Sequence, residues 1–390
     1  MAQMTKQIHR LAFPDAIDAD GHVLEPRDLW ERYLEKRYKP RAIRIKEETD
    51  GTEYMEIGGR PSRFLRGRLL STIGVMDADR NNPPPRHIKY ASQAPQGASD
   101  PKQRLARLDA EGLAAAFLYP TLGLLYETEC TDADLLQAYT RAYNRWIADF
   151  CSDSGGRLLA IAHLSLADPK AAADELQRAI TDGCKGGFVS QFAVSRKPIA
   201  HPDHDVLFAR AQELDVPLGI HPTFEPPWAL PGRFDRQFVR NDYFYLNVTA
   251  PDGIRHAFTS FFQYATFDKF PGLKLIVLEA GAGWIRYWLD RMDSVYQSVI
   301  GRGLALKERP SFYFDRNCWI SADPDERSLP AMMELCGEDK FFWASDFPHL
   351  DHPGNYIEEL EEVAEKLPSS ARRKLLGENV ARLYGLRSLR

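Results

Sequence analysis

No run in this 390-residue sequence approaches the ~18 consecutive apolar residues that a membrane-spanning helix needs. The stretch from Met1 to Arg10 is polar and lacks the apolar block of a signal peptide, so a cytoplasmic protein is the expectation. Cysteine is scarce and unpatterned. Cys130, Cys151, Cys184, Cys318 and Cys336 are odd in number and widely spread, with no Cys-x-x-Cys pair among them. That argues against a disulfide framework and a zinc ribbon, and leaves free thiols. An excess of one charge is missing as well. Fifty basic side chains against 55 acidic ones give a formal net charge of −5, without a basic run. Nucleic acid and anionic membranes are therefore not expected partners. Two phosphate-binding signatures are also absent. Gly281-Ala-Gly283 continues into Trp284 and not toward a third glycine, and no Gly-x-x-x-x-Gly-Lys-Ser/Thr loop occurs.

What is present is a regular alternation of strand-like and helix-like segments. Strands are predicted at Ala16–Asp20, Ala114–Tyr119, Leu158–Ser165, Gly186–Phe192, Val216–His221, Leu273–Glu279, Phe312–Ser321 and Lys340–Asp346. Helices are predicted at Leu29–Tyr38, Lys102–Glu111, Asp132–Ser152, Pro169–Thr181, Asp203–Leu214 and Ile254–Phe267. An amphipathic helix follows at Trp284–Val299, and the tail Ile357–Leu383 is helical. Eight strands with helical crossovers predict an α/β fold, the (β/α)8 TIM barrel, with an open doubly wound sheet as the alternative. The whole chain reads as a single barrel domain carrying two insertions. Residues 40–100 hold a hairpin, Ala42–Ile57, turning at Asp50-Gly51, and an irregular loop through Pro83-Pro84-Pro85. Residues 222–250 form a lid-like insertion after the fifth strand.

In such a barrel the chemistry sits where strands end. The first strand ends in Asp20-Gly21-His22, whose two side chains share one face of an extended backbone. The fifth ends in His221, the sixth in Glu279, and the eighth in Asp346, with His349 three residues on. A lone histidine after an apolar strand is usually a hydrogen-bonded core residue, and a lone carboxylate usually caps a helix. Five such groups on four strand ends are harder to explain without a cation to offset their burial. The expected metal ligands are Asp20, His22, His221, Glu279 and Asp346.

These motifs resemble a known family. Asp18-Ala-Asp-Gly-His-Val-Leu-Glu-Pro26, Gly219-Ile-His-Pro222, Leu278-Glu-Ala-Gly-Ala-Gly-Trp284, Ala344-Ser-Asp-Phe-Pro-His349 and Gly377-Glu-Asn-Val-Ala-Arg-Leu-Tyr384 look like the amidohydrolase-related metal-dependent barrels. This is the branch that includes aminocarboxymuconate-semialdehyde and resorcylate-type decarboxylases. The resemblance implies Asp20 and His22 as first-strand ligands, His221 as the fifth-strand ligand and Asp346 as ligand or base. Two departures stand out. The decarboxylases carry histidine where this chain has Glu279, and the bridging lysine of dinuclear hydrolases is missing, Lys185 lying at the start of its strand.

Three carboxylates with two imidazoles suit one or two divalent ions, Zn²⁺, Fe²⁺ or Mn²⁺. The reading placed first is a metal-dependent hydrolase that acts on a small aromatic or carboxylated molecule through a metal-activated water. A non-oxidative decarboxylase, a dinuclear oxygen-activating enzyme and an inactive partner subunit are the alternatives. Asp346, His349 and Glu279 are the expected catalytic residues, and Glu25 a supporting or structural carboxylate behind the ligands. Tyr119, Phe224 and Trp228 are expected to line the substrate, with Tyr126 on the same wall and Arg233, Arg236 or Arg240 available for a carboxylate. The aromatic insertion fits a subunit interface equally well, so a homodimer or a hetero-oligomer with a paralogue is expected.

Overall fold

The computed structural model describes residues 8–76, 78, 83–84, 88–229, 242–350 and 355–386. Eight parallel strands form one sheet in the order β1-β5-β6-β7-β8-β9-β10-β11. They are β1 (Ala16–Val23), β5 (Leu113–Pro120), β6 (Leu158–His163), β7 (Gly186–Ser190), β8 (Leu218–His221), β9 (Leu275–Val277), β10 (Cys318–Ala322) and β11 (Phe341–Trp343). The sheet curls into a nearly closed barrel. Its two edges meet just past β11, where Asp346 N donates to Asp20 O at 3.0 Å and His22 N to Phe347 O at 2.6 Å. The expected barrel is therefore the observed one.

Strand residues alternate between two apolar environments, as a barrel requires. Ile17, Ala19, Phe117, Ile161, Phe188, Leu278 and Phe342 belong to one cluster inside the barrel, while the larger cluster packs strands against the surrounding helices. Caps set the helix starts. Asp100, Asp132 and Asp168 each accept from the backbone N–H three residues on, and Pro101 and Pro169 occupy first-turn positions. Among the described residues no helix is long and apolar enough to cross a membrane.

One expectation is extended and two need correction. The Ala42–Ile57 hairpin is part of a three-stranded antiparallel sheet, β2 (Arg44–Glu47), β3 (Glu53–Ile57) and β4 (Arg60–Arg66). Gly58 and Gly59, both at positive φ (62° and 80°), form the two-residue turn that adds β4. The seventh barrel strand is not Phe312–Ser321. Pro310–Asn317 is a helix with proline in its first turn, and the strand begins only at Cys318. The aromatic run reads as β-forming by propensity, yet on a helix it buries Tyr313 and Phe314 and leaves Phe312 exposed. The helical tail, finally, is broken into Tyr356–Glu365, Ser369–Arg373 and Asn379–Leu383, with a π-turn at Lys374–Glu378.

That tail closes the floor of the barrel. The Tyr384 ring sits 4.1 Å from Phe117 inside the barrel, and Val380 and Leu383 join the same cluster. Asn379, fully buried, donates to Glu338 O at 2.7 Å and to Phe341 O at 2.8 Å, which ties the tail to the entrance of β11. Replacing Asn379 with alanine leaves two carbonyls without their donor. The unfolding free energy is expected to fall by about 1–3 kcal/mol, read as a lower thermal midpoint. An unchanged midpoint would show that the tail adds nothing to barrel stability.

Candidate metal centre

The five expected ligands converge at the C-terminal mouth of the barrel. Asp20 and His22 come from β1, His221 from the end of β8, and Glu279 and Asp346 from the turns after β9 and β11. His22 Nε2 lies 3.5 Å from Asp20 Oδ1 and 3.1 Å from Asp346 Oδ1. His221 Nε2 lies 3.6 Å from Asp20 Oδ2 and 3.4 Å from Glu279 Oε2. Asp20, His22, His221 and Asp346 are buried, whereas the Glu279 side chain keeps 22% of its surface and marks the open side.

Hydrogen bonding fixes both imidazoles. His22 Nδ1 donates to Pro120 O and His221 Nδ1 to Pro222 O, each at 2.7 Å. The lone pair of each ring is thus on Nε2, the nitrogen that faces the carboxylates. Burial, with His349 and His221 close by, pushes the His22 pKa well below the ordinary histidine value, so the ring is neutral near pH 7. Lone pairs and carboxylate oxygens consequently point at one another. Asp20 Oδ1 and Oδ2, His22 Nε2 and His221 Nε2 are buried and have no hydrogen-bond partner among the described residues. A cluster of acceptors without a donor is costly unless a cation lies among them. This donor set fits a divalent ion, and Asp20, His22 and His221 bring their ligand atoms within 4.8 Å of one another.

The backbone at two of the expected ligands is unusual. Glu279 and Asp346 have φ of 42° and 50°, a region that non-glycine residues seldom occupy. Glu279 N donates to Ser321 Oγ at 3.0 Å, and Asp346 N is bonded to Asp20 O. Beside the cluster, His349 Nδ1 lies 2.8 Å from Asp346 Oδ1 and its Nε2 2.9 Å from Thr121 Oγ1. His349 also stacks obliquely on His22, with the ring centroids 4.1 Å apart.

Glu25 stands behind this group. Its carboxylate accepts from Thr121 N, Leu122 N and Gly123 N at 2.8–3.3 Å, and burial raises its pKa to about 7. It orders the loop that presents Thr121 to His349. Tyr119 lies beneath both imidazoles, 5.9 Å from His22 and 5.4 Å from His221 between centroids, with its hydroxyl bonded to Tyr384 in the barrel interior. Phe224 packs partly buried against the core, and Trp228 stands at the rim, edge-on to Phe192 and beneath the Arg196 guanidinium. Tyr126 is not on that wall. Its hydroxyl bonds His163 Nδ1 at 2.8 Å inside a buried network in which His163 Nε2 meets Glu127 Oε1 at 2.8 Å. Arg233, Arg236 and Arg240 lie outside the described residues. Sequence reasoning singled out neither His163 nor Thr121, although His163 ends a barrel strand as His221 does.

Comparison with known proteins points one way. The decarboxylase orsB of Emericella nidulans is 29% identical over 204 residues, 49% of this chain and 59% of that protein. A gamma-resorcylate decarboxylase of Rhizobium sp. is 27% identical over 298 residues, 73% of this chain and 86% of that protein. Among solved structures, an amidohydrolase from Mycobacterium avium subsp. paratuberculosis superposes with a TM-score of 0.78 at 23% identity, covering 95% of this chain and 99% of the other. The 5-carboxyvanillate decarboxylase of Novosphingobium aromaticivorans, with bound manganese, gives 0.69 at 19% identity over 97% of this chain and all of the other. The expectation of a hydrolase is overturned by these relatives, because both sequence relatives and the carboxyvanillate enzyme are named as decarboxylases. The amidohydrolase family model matches residues 17–386. With its metal-type donor cluster seated at the barrel mouth, the chain belongs to the amidohydrolase family.

Proposed function

We propose that this protein is a divalent-metal-dependent, non-oxidative decarboxylase of a small aromatic carboxylate. The carrying observation is the buried acceptor cluster of Asp20, His22 and His221, with the Asp346–His349 pair directly beside it. Relatives named as gamma-resorcylate and 5-carboxyvanillate decarboxylases support the reaction class. In this reading Asp20, His22, His221 and Glu279 hold the cation, with Asp346 at its edge. Oxygen-rich ligands favour a hard ion, and manganese occupies the carboxyvanillate enzyme. When bound, the ion supplies positive charge that anchors the substrate carboxylate and an adjacent oxygen.

The chain's own groups handle the proton. Loss of carbon dioxide from an aromatic acid requires a proton at the ring carbon that bears the carboxylate. The carbon–carbon bond then breaks, and its electron pair returns to the ring. Asp346, which shares a hydrogen bond with His349, is the group placed to deliver that proton. His349 replenishes it, and Thr121 Oγ1 holds the far side of the imidazole. Phe224 and Trp228, on the segment that follows His221, supply an apolar wall for the ring. Glu279, on the open side, departs from the histidine of the resembling decarboxylases. It adds a third carboxylate and sharpens the dependence on a cation.

Two sets of measurements test the proposal. A chelator-treated protein should lose turnover of aromatic carboxylates and regain it with Mn²⁺. In D₂O it should release carbon dioxide and place one deuterium on the ring; oxygen from water appearing in the product would refute the proposal. Separately, Asp346→Asn should still take up metal but lose roughly 10²–10⁴-fold in kcat, whereas His221→Ala should fail to hold the metal. Asp346→Asn with wild-type kcat would remove Asp346 from the proton path.

A further inference from the structure

Among the described residues the most deeply buried arginine or lysine is Arg104, on the helix Pro101–Glu111, with 2% of its side chain exposed. Its Nη1 donates to His22 O at 2.9 Å, and the guanidinium lies 4.4 Å above the centre of the Phe347 ring. Its Nη2 approaches Asp18 Oδ2 only to 3.8 Å. Asp18, equally buried, directs its stronger bonds elsewhere. It accepts from Ser345 N at 3.0 Å and from Ser345 Oγ at 2.6 Å. Gly21 runs directly past both side chains. A Cβ at that position would lie 2.5 Å from Asp18 Oδ2 and 2.6 Å from Arg104 Nη2.

A buried Arg–Asp pair held at 3.8 Å is a weak source of stability, because desolvation cancels most of the attraction. What the pair grips is more informative. On one side are the backbone of His22 and the glycine between Asp20 and His22. On the other are Ser345 and Phe347, the two neighbours of Asp346. Arg104 and Asp18 thus join the two stretches of chain that carry the first-strand and eighth-strand donors.

We propose that Arg104 and Asp18 are positioning residues that set the spacing of Asp20 and His22 against Asp346 before a cation binds. The inference rests on the metal reading above. Gly21 belongs to the same device, since a side chain there would push the guanidinium out of its seat. The pair is neutral as a unit, so removing both charges together leaves the net charge beside the donors unchanged and exposes the positioning effect alone.

The test uses three variants of the full chain: Asp18→Asn combined with Arg104→Met, Gly21→Ala, and Arg104→Lys. Mn²⁺ affinity is measured by calorimetric titration, the d–d absorption of the Co²⁺-substituted protein is recorded, and circular dichroism checks folding. The double variant and Gly21→Ala should bind Mn²⁺ about 10–100-fold more weakly and show an altered Co²⁺ spectrum. Arg104→Lys, which keeps the charge and a donor toward His22 O, should recover part of the affinity. Wild-type affinity and spectrum in the folded variants would overturn the proposal. Should the double variant not fold, Gly21→Ala, which adds one methyl group, decides in the same way. A wild-type chain that takes up no Mn²⁺ would instead sink the metal reading on which the proposal rests.

Discussion

Two neutral-type nitrogens and several carboxylate oxygens face one another in a space that water scarcely reaches. The tautomers leave no alternative arrangement. Pro120 O and Pro222 O each take the Nδ1 proton of a histidine, so the lone pair of each ring is aimed inward. Acceptors that confront one another at 3.1–3.6 Å are repulsive without positive charge between them. Much of the surrounding structure follows from holding this arrangement in place. The barrel edges meet there, and the backbone bonds that join them involve three candidate donors, Asp20, His22 and Asp346, and Phe347, which flanks the last of them.

The shortness of β9 and β11 belongs to the same logic. Each is a three-residue strand, and each is followed within three residues by a carboxylate at positive φ. Ending the ladder early lets the chain turn so that Glu279 and Asp346 lean back over the mouth. A non-glycine residue in that region costs of order 1–3 kcal/mol. Ser321 Oγ and Asp20 O offset part of the cost by bonding the two backbone N–H groups. Glutamate and aspartate are retained where glycine would be easier, which fits residues kept for their side chains.

The convergence of the candidate ligands was legible in the sequence because each follows an apolar run and the barrel topology tells where strand ends gather. The predicted strand ends placed Asp20, His22, His221, Glu279 and Asp346 together, and the family resemblance pointed to all of these but Glu279. Residues that act through loops were not legible in the same way. Thr121 meets His349 across 228 positions of sequence, and Glu127 meets His163 from a one-turn 3₁₀ segment that no periodicity marks. Elsewhere a signal existed and was outweighed. Gly58-Gly59 is a two-residue hairpin turn by its chemistry, and Pro310 is a helix start, yet the aromatic run after it carries the stronger β propensity. Reaction type was beyond sequence reasoning for a physical reason. A cation held by two histidines and carboxylates can polarise water for hydrolysis or anchor a carboxylate for its loss, and the ligand set is the same for both.

What separates the two reactions is how the remaining charge is arranged, and here Glu279 matters. Asp20, Glu279 and Asp346 together carry three negative charges when ionised, one more than a divalent ion neutralises. An anionic substrate entering such a site is held by the cation but repelled by the carboxylates around it. In the proposed reaction carbon dioxide leaves as a neutral molecule, and the proton that completes the product leaves Asp346 ionised, so the negative charge passes from the substrate to Asp346 until His349 restores the proton. A partly exposed glutamate at the sixth strand is compatible with decarboxylation, provided that the histidine it replaces is not itself the proton carrier. In the proposed reading the Asp346–His349–Thr121 chain carries the proton instead.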